Sequence, residues 1–187
     1  MSASDLAGDL ITRIREMKGT VDLCQQMCPV VQAKMTGYTT TIKHLTEGFV
    51  WSVGADQALG RNGTPVKWTI LSLPTLFRAS EGRVAIADSA NPTRSARHSG
   101  YVMWLHPTEG ATSPVAHDFV FCFVPVPGSP NTYFIGNDYG DGSLGTKSWV
   151  GYASNSGRIL IVPQAQRAAW VLDGPLPDSL TRPQFPN

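Results

Sequence analysis

Charge is scarce in this chain. Asp, Glu, Lys and Arg make up 16% of its 187 residues, against about a quarter in an average domain, and 15 basic residues offset 14 acidic ones to leave +1. A balance so close to zero excludes partners held by long-range attraction alone. There is no basic arm to neutralise many phosphates. Cysteine is equally sparse: Cys24, Cys28 and Cys122 form an odd count with no framework spacing. Met1-Ser2 leads into Asp5, Asp9 and Arg13, not into a basic-then-apolar signal, so a reduced, cytosolic protein is expected. No apolar run approaches the roughly 20 residues of a membrane-spanning helix. A nucleophile elbow, a phosphate loop and a metal-ligand cluster are all missing, so no catalysis and no small-molecule substrate are expected.

What the chain does have is β-forming sequence after residue 36. Val, Ile, Thr and aromatic residues rise sharply there, in short runs broken by Gly48, Asn62-Gly63, Gly82, Asn91-Pro92, Gly110, Gly128-Ser129 and Gly140-Asp141-Gly142. Strands are expected at 38–45, 49–53, 66–71, 83–87, 101–105, 118–124, 132–135, 149–153, 158–162 and 169–172. Turn signals every 8–12 residues indicate an all-β sandwich or barrel. The run Phe119-Val120-Phe121-Cys122-Phe123-Val124 is too apolar to present one face to water, so it is read as a strand buried on both sides at the centre of the fold. Residues 1–35 read as an N-terminal helical arm, with Leu6, Leu10, Ile14 and Met17 at helical spacing. Residues 36–174 are the sandwich, and 175–187 a Pro-rich extended tail. A threefold β-trefoil repeat is an alternative: the segments around Trp68, Phe121 and Trp170 fit repeats of about 50 residues, although only the last two share a following pattern.

Few residues suggest chemistry. Arg13, Arg15 and Lys18 on the first helix, and Arg94 and Arg97 with His98 before Tyr101, are the two basic groupings able to touch phosphate. The loop Asn137-Asp138-Tyr139-Gly140-Asp141-Gly142-Ser143 gathers oxygens as a hard cation requires. Asp138 and Asp141 are therefore candidate ligands for a divalent cation shared between subunits; no other cofactor is expected. Cys24 and Cys28 lack a further His or Cys at zinc spacing and read as small buried residues. His117 and Asp118 are neighbours, so on a strand they point to opposite faces and form no relay.

His106-Pro107-Thr108, then Val120-x-Cys122-Phe123-Val124-Pro125 and Ser129-Pro130, resembles the central part of the coat proteins of tymoviruses and related small icosahedral positive-strand RNA viruses. Trp68-Thr69-Ile70, Ser156-Gly157-Arg158-Ile159-Leu160-Ile161 and Gly174-x-Leu176 match in the same order. The resemblance implies an eight-stranded jelly roll, here a jelly-roll β-sandwich of about eight to ten strands behind the short helical segment. It also implies a capsid protein that self-assembles with copies of itself into an icosahedral shell, touches genomic RNA weakly and non-specifically, and needs no membrane. The protein would then reside in the virion, and in host cytoplasm before assembly. Ser4-Asp5-Leu6-Ala7-Gly8 opening an amphipathic helix, Glu47-Gly48-Phe49-Val50-Trp51 and Phe123-Val124-Pro125 are also similar to actinoporins, membrane pore formers built on a helix-flanked β-sandwich. The third reading is a β-trefoil lectin or protease inhibitor.

Overall fold

The computed structural model describes residues 37–72, 82–107, 117–137 and 148–182. All of them belong to the second of two compact units, Met1–Met35 and Thr36–Asn187. The first half of the described chain supplies β1 (Gly37–Thr40), β2 (Ile42–His44), β3 (Ser52–Val53), β4 (Leu59–Gly60), β5 (Thr64–Pro65), β6 (Trp68–Ser72) and β7 (Val84–Asp88). The second half supplies β8 (Arg94–Ser99), β9 (Val102–Pro107), β10 (Phe121–Pro125), β11 (Thr132–Asn137), β12 (Ser148–Ala153), β13 (Arg158–Val162) and β14 (Ala169–Leu172). Three short 3₁₀ turns, His117–Phe119, Gln164–Gln166 and Asp178–Leu180, are the helical elements among the described residues.

The protein is all-β, as its sequence implies. Seven strands close a ring of antiparallel pairs in the order β7, β8, β9, β13, β12, β11, β10 and back to β7, where Phe121 lies opposite Val84. Three extensions branch from it: β6 and β1 from β7, β14 and β2 from β11, and β4, β3 and β5 from β13. The closed ring with its branches does not specify the jelly-roll sandwich that the resemblance implies. Here successive strands pair, because Ser89–Thr93, Gly100-Tyr101, Val126–Asn131 and Ser154–Gly157 are connections too short to do anything but return the chain beside itself.

The ring encloses a packed interior. Val84 and Ile86, Ala96, Met103 and Leu105, Phe121 and Phe123, Tyr133 and Ile135, Val150, and Ile159 and Ile161 all join one buried cluster, to which the flanking strands add Ile42, Trp51, Trp68, Trp170 and Leu172. On β10 the alternate residues Cys122 and Val124 join a second cluster with Ala85, Phe119, Val120 and Trp149. The apolar run is thus buried on both faces, as its sequence requires, although its first residues form the 3₁₀ turn His117–Phe119 and the strand begins at Phe121. Residues 175–182 dock on this core. Leu176 and Leu180 are buried, Thr181 bridges Phe123, and the Arg182 N–H donates to the Phe123 carbonyl at 2.9 Å.

Candidate functional site

The structure places Arg94, Arg97 and His98, the basic grouping before Tyr101, on a single strand. Arg94–Ser99 is a strand despite carrying no β-branched or aromatic residue, because it is hydrogen-bonded along its length to β9. Residues three apart on a strand project to opposite sides, and Arg94 and Arg97 have separate engagements. The Arg94 guanidinium donates to Gln57 Oε1 (2.6 Å) and the Leu105 carbonyl (3.1 Å). Arg97 pairs with Asp118 through Nε (2.9 Å) and NH2 (2.7 Å) and lies over the Phe119 ring. Arg13, Arg15, Lys18, Asp138 and Asp141 lie outside the described residues. Among the described residues, no group of three His, Cys, Asp or Glu side chains is placed to hold a metal ion.

A different place gathers polar groups. A cleft of ≈ 390 Å³ is lined by His44, Thr46, Glu47, Tyr152, Ser154, Gln166, Arg167, Ala168 and Ala169. Its first wall is the hairpin that follows β2. The Gly48 N–H donates to the His44 carbonyl (3.0 Å), the His44 N–H to the Phe49 carbonyl (2.8 Å), and Gly48 sits at φ 74°, a left-handed conformation that favours glycine. The Glu47 N–H donates to His44 Nδ1 (3.1 Å), which leaves the ring proton of a neutral imidazole on Nε2. Burial lowers the His44 pKa, opposed by the Glu47 charge, so the ring is neutral at pH 7. It stacks on Phe49 (5.2 Å between centroids, 13° between planes) and meets Trp170 edge-on at 5.1 Å. Tyr152 completes the group at 4.6 Å from Phe49.

The opposite wall is the turn Gln164–Gln166 and the residues leading into β14. It lies close against β12 because position 151 is glycine: a Cβ there would come within 2.5 Å of Val162 Cγ2 and 3.0 Å of the Gln166 carbonyl. This close approach lets the Ala168 N–H donate to the Val150 carbonyl (3.2 Å). The Arg167 guanidinium lies near two rings that meet edge-on, 4.1 Å from the Phe134 centroid and 5.1 Å from that of Trp149. Among the described residues no carboxylate pairs with it. The Tyr152 hydroxyl is buried and has no hydrogen-bond partner among them either.

The cleft draws on residues 44–49, 152–154 and 166–169, which are far apart in sequence and of ordinary type. The one local signal was Glu47-Gly48-Phe49-Val50-Trp51, whose first residue lines the cleft and whose Phe49 supports its histidine.

No protein-family model matches the chain, and no curated protein matches it in sequence. Among solved structures it is similar to the lysenin pore, at 13% identity and a TM-score of 0.43, over 74% of this chain. The chain spans 46% of the length of that lysenin chain.

Proposed function

We propose that this protein acts at a membrane surface as a headgroup-binding module of the pore-forming kind. The observation that supports this best is the setting of the cleft. Leu45, 49% exposed and one of two large apolar side chains left in solvent among the described residues, immediately precedes Thr46 and Glu47 on the cleft wall. A polar cleft beside a protruding leucine suits a lipid–water boundary, where the headgroup enters the cleft and the side chain enters the acyl region. Burying one leucine contributes about 1.5–3 kcal/mol. That is too little for stable anchoring alone, so specific headgroup contacts must add to it. The +1 net charge fits this division of labour, since polybasic attraction to anionic lipid is not available. Two of the stretches that resemble actinoporins, Glu47–Trp51 and Phe123–Pro125, lie at the cleft and in the central buried strand.

The shell-subunit reading rests on the sequence resemblance of 106–130 and stays as the competitor. Vesicle co-sedimentation and dye release decide between them. The purified chain is expected to pellet with sphingomyelin-containing or glycolipid-containing vesicles and to release entrapped dye. Particles visible by negative stain, with no vesicle binding at any composition, would overturn the proposal.

A further inference from the structure

We infer that the cleft between His44 and Arg167 binds a neutral saccharide, borne by a glycolipid or by a free glycan. The inference rests on the reading of this cleft as a headgroup site and names the headgroup's chemistry. The charges lining the cleft cancel: Glu47 is negative, Arg167 positive and His44 neutral; Arg61, outside the lining, lies 3.8 Å from Glu47, but both side chains are about two-fifths exposed and water screens the pair. A simple anion would face the Glu47 carboxylate and a simple cation the Arg167 guanidinium, and each would lose on one wall what it gains on the other. An uncharged polyol meets no such opposition.

The hydrogen-bonding inventory points the same way. Arg167 and His44 Nε2–H only donate and Glu47 only accepts, whereas Thr46, Tyr152, Ser154 and Gln166 can do both. Sugar hydroxyls also donate and accept, so they can satisfy such a mixed wall where a phosphate or an ammonium cannot. Arg167 is especially suited. Its contacts with Phe134 and Trp149 hold the guanidinium at the cleft wall, and two adjacent N–H groups of its planar fork can serve neighbouring hydroxyl oxygens. The Tyr152 hydroxyl is buried without a partner beside the cleft, and a small shift of the ring that opened it to a bound hydroxyl would satisfy it. The rings of His44 and Tyr152 and the methyl groups of Ala168 and Ala169 offer apolar surface to the C–H face of a sugar. The volume, ≈ 390 Å³, lies within the roughly 300–1,000 Å³ of small-ligand pockets.

The test is ligand-observed NMR on the full chain with a panel of neutral mono- and disaccharides, with inorganic phosphate and choline as controls, followed by vesicle binding with and without glycosylceramide. Saturable transfer to at least one sugar is expected. Arg167→Gln should weaken it by tenfold or more. Tyr152→Phe is the discriminating variant. Because it removes an unpaired buried hydroxyl, the melting temperature should hold or rise while sugar affinity falls several-fold, an outcome that a purely structural tyrosine would not give. Competition by free sugar against glycosylceramide vesicles would identify the lipid-borne source, and sugar binding with no vesicle preference the free one. No sugar signal alongside intact dye release would overturn this inference and leave the membrane proposal standing; loss of both would remove both. Binding of phosphate or choline in place of sugar, or unchanged sugar affinity in Tyr152→Phe, would also overturn it.

Discussion

Thr41 and Asp173, 132 positions apart, hold each other by two hydrogen bonds: the Thr41 N–H donates to one carboxylate oxygen at 2.7 Å and its hydroxyl to the other at 2.6 Å. The Asp173 N–H returns a bond to the neighbouring Thr40 hydroxyl at 3.0 Å. The clamp sits where the chain leaves β1, paired to β6, and enters β2, paired to β14. It therefore fixes one of the crossings that join branches of the sheet.

Removing the clamp should loosen that corner. Bonds to a charged acceptor contribute about 1.5–3 kcal/mol when sheltered, but Asp173 is exposed and water screens it, so about 1 kcal/mol is expected for Asp173→Ala. That corresponds to a fall of about 2–4 °C in melting temperature for a chain of this size. Hydrogen bonds from Thr41 hold the Asp173 carboxyl below its ordinary 3.8. A depressed carboxyl contributes stability that is present above 3.8 and lost as pH falls through the lower, folded value. Acid titration of stability should therefore be shallower below pH 3.8 in Asp173→Ala than in the parent. Parallel curves would show that the carboxylate contributes nothing to the fold.

Arg97 and Asp118 make a second test, because the sequence offered Arg97 as a phosphate contact. Their side chains are 21% and 30% exposed and joined at 2.7 Å. A pair this sheltered should show a coupling of about 1 kcal/mol in a double-mutant cycle by urea denaturation. Arg97→Ala should lower stability and leave retention on an RNA column unchanged. Reduced retention at unchanged stability would favour the nucleic-acid reading instead.

Much of the β-architecture was legible before any coordinates. The runs around Trp68, Phe121, Ile135, Val150, Ile159 and Trp170 are strands because β-branched and aromatic residues alternate there between turn formers. Arg94–Ser99 was hidden, since its strand character comes from its neighbours and not from its own side chains. Leu59–Gly60 and Thr64–Pro65 escaped notice because two-residue strands have no period to read. The closure of the ring was likewise out of reach: it depends on single contacts such as Phe121 opposite Val84 and Leu160 opposite Val102, which no local pattern encodes. The cleft was illegible for the same reason, apart from Glu47–Trp51.

Two glycines separate backbone crowding from backbone conformation. A Cβ on Gly60 would strike the Gly157 carbonyl, which already accepts the Arg61 N–H at 2.9 Å. Gly128 adopts φ 72° in the β10–β11 turn, with open space around it. Gly128→Ala should cost about 1 kcal/mol, the price of a left-handed conformation for a residue with a side chain. Gly60→Ala must move one strand of the β4–β13 pair and should cost about 2 kcal/mol or more. Equal losses in chemical denaturation would show that Gly60 tolerates a methyl group and that the approach of β4 to β13 is not tight.

His44 ties the cleft to pH. Its Nδ1 accepts the Glu47 N–H, and the ring lies against Phe49, Trp170 and Tyr152, so protonation would break that hydrogen bond and place a charge among aromatic groups. Burial accordingly holds its pKa below the ordinary 6.5, with the Glu47 charge acting in the opposite direction. A histidine with a lowered folded pKa binds its proton more readily when unfolded, so its contribution to stability is complete above pH 6.5. That contribution declines as pH falls from 6.5 through the folded value. His98 is lowered by burial as well, so two histidines share the slope of the parent protein. Melting temperatures measured from pH 8 down to pH 5 should decline in the parent, and more gently in His44→Gln, where the contribution of His98 persists. The same variant loses the imidazole Nε2–H on the cleft wall, so its capacity to bind should fall even at pH 8, where stability is unaffected by this titration. An identical slope in parent and variant would mean that His44 takes up its proton without penalty, and that the ring is better solvated than its packing against Phe49 and Trp170 implies.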